Sequence, residues 1–298
     1  MRFAPALRRL IGPLELIHEL AGPPLLRLAR YGIFGLWMFK LLLDPLWRLA
    51  DLPRELFHPA GLLNLLPGAA LDAVLTGPGL VVFWIATLLC LGLSLSGRAL
   101  IFPAISAVLL TVYSSLIRGF GPAVHTDIPL LLAVYALAAF AWADRIAPAA
   151  TLGQVRHRAS CPLIAIAALL CLSYALVAFN RMVAGGLGVF TGDTMEVWAI
   201  DASLRGYYFN TNIGWHVPEW PLVAFMLKAG LPAVTLFEMT APLCLAWPRF
   251  RGVFIPFMLS FHALSLVFMN IFFFDDMLLY LLLIDWSRRF PALASAAG

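Results

Sequence analysis

Glu238 and His262 are the first residues here that could do chemistry, because each interrupts an apolar run in FEMTAPLCLAWPRFRGVFIPFMLSFHALSLVFMNIFFFDD, Phe237 to Asp276. A titratable side chain in hydrocarbon costs about 2.5 to 3.5 kcal/mol on insertion scales, so both should turn toward the interior of a helical bundle. There a carboxylate and an imidazole can move protons, pair with a cation or fix a polar ligand. Asn180 and Arg181 end an earlier apolar run, Lys228 precedes Glu238, Asn270 and Asp276 follow His262, and His125 stands in RGFGPAVHTDIP. His262 stands open between a satisfied core histidine and a working acid, base or ligand, and His125 between a solvated histidine and an acid or base. Met258, His262, Ser265 and Met269 recur at i, i+4, i+7 and i+11, which puts them on one helical face. That face is either a packing stripe or the polarizable wall of a ligand site.

The elements that must position these groups follow from composition. The 298 residues are 62% hydrophobic and only 12% charged, more apolar surface than a soluble core of this size needs. Apolar runs of roughly 20 residues, broken by Pro, Gly and charge, predict an all-α polytopic membrane protein rather than a barrel. About eight spans are expected. They lie near Tyr31–Trp47, Leu80–Leu95, Ala99–Ile117, Ile128–Ala143, Cys161–Met182, Glu219–Trp247, Val253–Asn270 and Ile271–Trp286. The sixth is too long for one straight crossing and contains Gly230-Leu231-Pro232, so a broken helix is expected there, with Lys228 and Glu238 on either side of a polar cavity. Lys40 in the first span either snorkels to an interface or pairs with Asp44. The loop Leu49–Gly79 has room for a short interfacial helix, FTGDTMEVWAIDAS reads as a surface helix, and Thr126 or Asp127 suits the cap of the helix containing Pro129.

Residues 1–30, with their arginines and prolines, read as a basic amphipathic arm rather than a cleavable signal peptide. Residues 31–287 form the membrane domain and 288–298 a tail. With eight spans, most arginines fall on the side of both termini, which makes that side cytoplasmic and the chain integral to the cell (inner) membrane. Cys90, Cys161, Cys171 and Cys244 sit in or beside apolar runs with no CxxC pair, so no metal or disulfide is expected. GGLG at 185–188 follows a membrane helix rather than a strand and is no dinucleotide fingerprint. The basic residues are scattered, and nucleic acid is not an expected partner.

Three runs carry a family resemblance: YALVAFNRMVAGGLGVFTGD from Tyr174, VTLFEMTAPLCLAWPRFR from Val234 and FHALSLVFMNIFFFDDMLLYLLL from Phe261. With HTD at 125, they resemble the horizontally transferred transmembrane (HTTM) family, the membrane domain shared with vitamin K-dependent gamma-carboxylase. The resemblance implies an enzyme that oxidises a reduced quinone, of the vitamin K hydroquinone type, with O2. The strong base so formed removes a weakly acidic proton, and the carbanion takes up CO2 in a lyase-type carboxylation. A lysine activates the quinol in the carboxylase; the matching cation here is Arg181, which holds its proton too tightly to be a base and would instead stabilise a quinolate or carboxylate. His125 matches a histidine near the carboxylase site. The short tail implies that the large lumenal domain of the carboxylase is absent.

Three functional classes follow. The first is a carboxylase-like membrane enzyme acting on a lipid, quinone or peptide at the outer leaflet, with His125, Arg181, Glu238 and His262 catalytic and Asn180, Lys228, Asn270 and Asp276 binding substrate. The second is a small-molecule transporter built on the broken sixth helix. The third is a membrane scaffold or assembly partner that keeps the fold without the chemistry. The lipid bilayer is a partner in all three.

Overall fold

The computed structural model describes residues 14–97, 101–121, 127–146, 151–186, 188–205, 213–271 and 273–295. The described residues are helical, with no strand among them. The α-helices are α1 Pro23–Leu43, α2 Gly68–Val74, α3 Gly77–Ser96, α4 Ile101–Phe120, α5 Ile128–Ile146 and α6 Leu152–Gly185. There follow α7 Gly188–Thr191, α8 Thr194–Arg205, α9 Pro221–Thr240, α10 Pro248–Met269, α11 Phe274–Leu279 and α12 Trp286–Arg289, with short 3-10 turns between. Five helical segments are long and apolar enough to cross a membrane: α3, α4, α6, Pro221–Leu245 and α10. Helix α5 contributes a shorter apolar stretch, Ile128–Ala143. This is the architecture of an integral membrane protein, with fewer qualifying helices than the eight spans expected.

The differences have local causes. Helix α1 is 21 residues long but carries Arg27, Arg30 and Lys40, and it begins at Pro23, inside the expected arm. The expected eighth crossing is not one helix: α11 spans six residues, a 3-10 turn Tyr280–Leu283 follows, and α12 starts at Trp286. Helix α9 runs unbroken through Gly230-Leu231-Pro232, correcting the expected break. Pro232 removes only the hydrogen bond its own N–H would give the Lys228 carbonyl, and apolar surroundings favour keeping the rest of the ladder. The helix changes instead at Ala241, where Pro242 opens the 3-10 turn Ala241–Leu245. Helix α6 starts well before the expected Cys161, because Thr151 and Gln154 reciprocally cap it: Gln154 N donates to Thr151 Oγ1 and Thr151 N to Gln154 Oε1, each at 3.2 Å.

The chain divides into two compact units. One comprises His18–Ile166 with Trp286–Gly298. Its α1, α3, α4 and α5 pack around the buried Trp37, which meets Tyr113 edge-on at 6.0 Å and donates to Leu130 O at 3.4 Å. Lys40 lies over the Trp37 ring at 5.5 Å, a cation–π contact that neither expected role for this lysine included. Asp127 precedes α5 at the cap position, but its buried carboxylate accepts from Ser114 and Arg118 of α4. The expected interfacial helix in the loop after α1 is the short α2.

The other unit comprises Met1–Ile17 with Ala167–Asp285, and it holds the second half of α6 together with α8, α9, α10 and α11. Met195, Ala202, Leu231 and Met269 form a buried cluster joining α8, α9 and the end of α10. The turn Ile213–Glu219 packs so closely that a Cβ on Gly214 would strike Phe268 O and Ala199 O. Phe237 of α9 stacks on Phe257 of α10 at 4.0 Å. These contacts fix the rotation of α9 and α10, which carry Glu238 and His262, relative to each other.

Candidate functional site

Rotation along each helix decides which polar groups meet. On α6 the residues Cys171, Tyr174, Ala178 and Arg181 recur at helical spacing; the first three are buried, and Arg181 is half-buried. On α10 the expected stripe is buried throughout: Met258, His262, Ser265 and Met269, extended backward by Phe254 and Arg251. On α9 the buried face is Leu231, Val234, Thr235 and Glu238. Exposed apolar residues cover the other faces, such as Leu172 and Phe179 on α6 and Leu222, Phe225 and Leu236 on α9. Polar groups are inward and apolar groups outward, as the cost of a polar side chain in lipid requires.

His262 is 2% exposed and belongs to a phenol–imidazole cluster. Tyr280 Oη donates to Tyr174 Oη at 2.6 Å, which commits its proton. The 2.7 Å bond between His262 Nε2 and Tyr280 Oη is therefore donated by Nε2–H. Tyr174 Oη lies farther from Nε2, at 3.4 Å. A neutral imidazole with its proton on Nε2 has a bare lone pair on Nδ1. That Nδ1 is buried and has no hydrogen-bond partner among the described residues. The ring is walled by aromatics: Tyr280 stacks on it at 5.7 Å and Phe273 packs at 4.6 Å, while Phe254 meets Tyr174 and Tyr280 edge-on.

Two turns along α6 from Tyr174, Arg181 Nη1 donates to Thr235 Oγ1 at 2.6 Å and to Glu238 Oε2 at 2.7 Å. Thr235 Oγ1 in turn donates to Leu231 O at 2.8 Å. The Arg181 side chain is 15% exposed and that of Glu238 5%. A guanidinium has five N–H groups, so a cation held through Nη1 keeps donors for a further anionic or carbonyl oxygen. Glu238 and the buried Asp276 both lie within electrostatic range of Tyr174 and Tyr280, which links the ion pair to the phenol–imidazole cluster.

The other sequence candidates are placed differently. Asp276 is buried in the first turn of α11. Asn270 is 1% exposed and ends α10 in the left-handed conformation at φ 56°, its N–H bonded to Leu266 O, so its backbone serves as the helix stop. Asn180 is exposed beside Arg181. Lys228 reaches Asp193 at 3.5 Å with both side chains substantially exposed, away from the polar interior in which a broken helix would have placed it. His125 lies outside the described residues. The sequence reading assigned no role to Tyr174, Tyr280, Thr235 or Arg251. Tyr174 had a usable signal, since it sits at i−7 from Arg181 on one helix face; Tyr280 had none, because the helix expected around it does not form.

The arrangement offers a proton acceptor at His262 Nδ1, two hydrogen-bonded phenols behind it, and a paired cation two turns along α6 from Tyr174. Among the described residues no group of three or more His, Cys, Asp or Glu is placed to hold a metal ion. Comparison of the chain with protein-family models, with curated proteins and with solved structures finds no match in any of the three.

Proposed function

We propose that this protein is a membrane enzyme that takes a proton from a hydroxyl of a lipid-soluble substrate, with His262 Nδ1 as the acceptor. The observation that carries the reading is the buried, unpartnered Nδ1 on an imidazole whose other nitrogen is fixed by Tyr280. An unsatisfied buried acceptor costs about 1 to 3 kcal/mol, a cost relieved when a ligand hydroxyl donates to it. Proton uptake at Nδ1 makes an imidazolium whose Nε2–H remains bonded to Tyr280 Oη, in the field of Glu238 and Asp276.

The resemblance to the HTTM family names the substrate: a reduced quinone, with O2 as oxidant and CO2 as the group taken up. The aromatic walls at Phe273 and Tyr280 suit a flat ring. Arg181, through the N–H groups not used on Thr235 and Glu238, would meet the developing oxyanion, and His125 would serve as a second acid or base. In this reading the protein lies in the cell (inner) membrane with cytoplasmic termini, and its second substrate is a lipid or membrane peptide at the outer leaflet.

The test is oxygen uptake by purified protein supplied with a reduced quinone, with labelled bicarbonate to follow carbon fixation and lipid extraction to identify a co-purifying quinone. His262→Ala is expected to abolish uptake. Uptake that persists in a folded His262→Ala variant refutes the role of Nδ1. One observation favours a second reading, a non-catalytic scaffold: Arg181 is paired with Glu238 and Thr235, as a structural tie would be. That reading predicts no turnover, no bound quinone and stable association with another membrane protein. The transporter class has lost its particular support with the continuity of α9 and the exposed pairing of Lys228.

A further inference from the structure

His262 carries its proton on Nε2 because of what stands behind Tyr280. Tyr174 on α6, His262 on α10 and Tyr280 in the 3-10 turn Tyr280–Leu283 bring three buried rings together. A neutral imidazole holds one proton for two nitrogens, and the bond made by one nitrogen decides which of them holds it. Tyr280 Oη has two hydrogen-bond partners among the described residues: it donates to Tyr174 Oη at 2.6 Å and stands 2.7 Å from His262 Nε2. With its single proton spent on Tyr174, Tyr280 accepts from the imidazole. The reverse chain, Tyr174 to Tyr280 to Nε2, would bury an N–H at Nδ1, where no acceptor lies among the described residues. Stacking of Tyr280 on Tyr174 at 5.8 Å and on His262 at 5.7 Å holds the oxygens to these choices.

We propose that Tyr174, acting through Tyr280, locks the His262 proton on Nε2, and that the lock makes the site at Nδ1 selective for aromatic hydroxyl compounds over the corresponding carbonyl compounds. The proposal rests on the reading of Nδ1 as the acceptor of a substrate hydroxyl and goes beyond it by setting which redox form of a quinone-type ligand stays bound. A hydroxyl donates into the bare lone pair. A carbonyl oxygen meets it lone pair against lone pair, leaving two acceptors buried with no proton between them. A histidine free to exchange tautomers would serve both forms, because Nδ1–H can donate to a carbonyl as readily as bare Nδ1 can accept from a hydroxyl. The locked histidine holds the reduced form and lets the oxidised form go.

Tyr174 is a positioning residue here, and its removal has a definite consequence. In Tyr174→Phe the hydroxyl of Tyr280 is left with Nε2 as its partner. If Nε2–H still donated, two buried groups would be orphaned, the Tyr280 O–H and the Nδ1 lone pair. If Tyr280 donates to Nε2 instead, the imidazole proton moves to Nδ1, and that N–H is the one orphan. The second arrangement is therefore favoured, and the preference between hydroxyl and carbonyl ligands reverses.

The test uses the full chain in lipid bilayers, with nitrogen-labelled histidine read by solid-state NMR; the His262 signals are those lost in His262→Ala. Expected in the wild-type protein are a bare Nδ1 and a protonated Nε2, and in Tyr174→Phe a proton on Nδ1. A merely structural tyrosine would leave the tautomer unchanged. Anaerobic titration of the same signals with 1,4-naphthohydroquinone and 1,4-naphthoquinone gives the second readout. The hydroquinone is expected to bind the wild-type protein about tenfold or more tightly than the quinone, and the order to reverse in Tyr174→Phe. A wild-type Nδ1 that carries the proton overturns the lock, whether or not the variant folds. A Tyr174→Phe protein that keeps the proton on Nε2 overturns the role of Tyr174, and equal wild-type affinities for the two probes overturn the selectivity. Failure of the catalytic reading shows elsewhere, as oxygen uptake that survives His262→Ala, so the two failures are told apart.

Discussion

Replacing Arg181 alone should destabilise the protein far more than replacing both members of the Arg181–Glu238 pair. The two bonds from Nη1, to Glu238 Oε2 at 2.7 Å and to Thr235 Oγ1 at 2.6 Å, hold side chains that are 15% and, for the glutamate, 5% exposed. Arg181→Leu strands a carboxylate that has almost no access to water, and removal of one partner from a buried pair costs about 3 to 5 kcal/mol. Glu238→Gln keeps an amide oxygen within reach of Nη1 and loses only the charge, while the partly exposed guanidinium recovers some hydration; about 2 kcal/mol is expected. If the two changes were independent, the double variant would lose roughly 5 to 7 kcal/mol. With no charge left to strand, it should lose about 2 kcal/mol, an interaction energy of roughly 3 kcal/mol or more. The assay is a double-mutant cycle on unfolding in mixed micelles, titrated with a denaturing detergent and read by the fluorescence of the chain's nine tryptophans. Additivity within about 0.5 kcal/mol would refute the reasoning, because it would mean that the two charges do not depend on each other.

Tyr280→Phe removes the acceptor that fixes Nε2–H of His262 and the donor to Tyr174; quinol-dependent oxygen uptake should fall by about 10² or more, with a loss of about 1 to 3 kcal/mol of stability. Gly214→Ala drives a Cβ into Phe268 O and Ala199 O and should cost about 1 to 3 kcal/mol in the same detergent titration. Pro232→Ala restores the N–H donor to the Lys228 carbonyl and is expected to stabilise α9 by roughly 1 kcal/mol or more without changing ligand binding; a loss of binding would give the proline a functional role. Thr151→Ala breaks the reciprocal cap of α6 and should cost about 1 kcal/mol, seen as faster amide exchange in the first turn.

Apolar run length was readable because hydrocarbon burial sets it directly: α3, α4, α6, α9 and α10 all lie where hydropathy puts them. Helix ends were readable only where a local chemical signal existed and was used. The T-x-x-Q of Thr151–Gln154 starts α6 before its apolar run, so hydropathy alone misplaces the boundary. Pro232 misled in the opposite sense, since a proline costs one hydrogen bond while a break within lipid would expose several. Within the site, the inward turn of Glu238, His262 and the Met258–Met269 stripe followed from periodicity and the cost of polar groups in lipid. The partners did not. Arg181 with Glu238, and Tyr174 with His262 and Tyr280, are pairings between distant segments, and nothing in one strip of sequence fixes which buried groups from different helices meet.

The same cost separates structure from function within the cluster. Buried polar groups in an apolar interior are tolerated when paired, and Arg181 Nη1 bonds both to Glu238 and to Thr235, which in turn donates to Leu231 O. These bonds hold α6 to α9 and leave a visiting anion the Arg181 N–H groups they do not use. His262 differs because its cluster commits the Tyr280 proton and Nε2–H, leaving Nδ1 as a buried base with no donor among the described residues. Nothing in the packing of α10 requires an imidazole there, since a phenylalanine would fill a similar volume without an unsatisfied nitrogen. His262→Phe therefore divides the two roles. In either role the variant loses the Tyr280 bond, about 1 kcal/mol, and sheds the unsatisfied acceptor, so its stability should change little. Turnover separates the roles: it is lost if the histidine waits for a substrate hydroxyl and kept if the histidine is structural. Unchanged turnover in a stable His262→Phe protein would leave Nδ1 with no part in the chemistry.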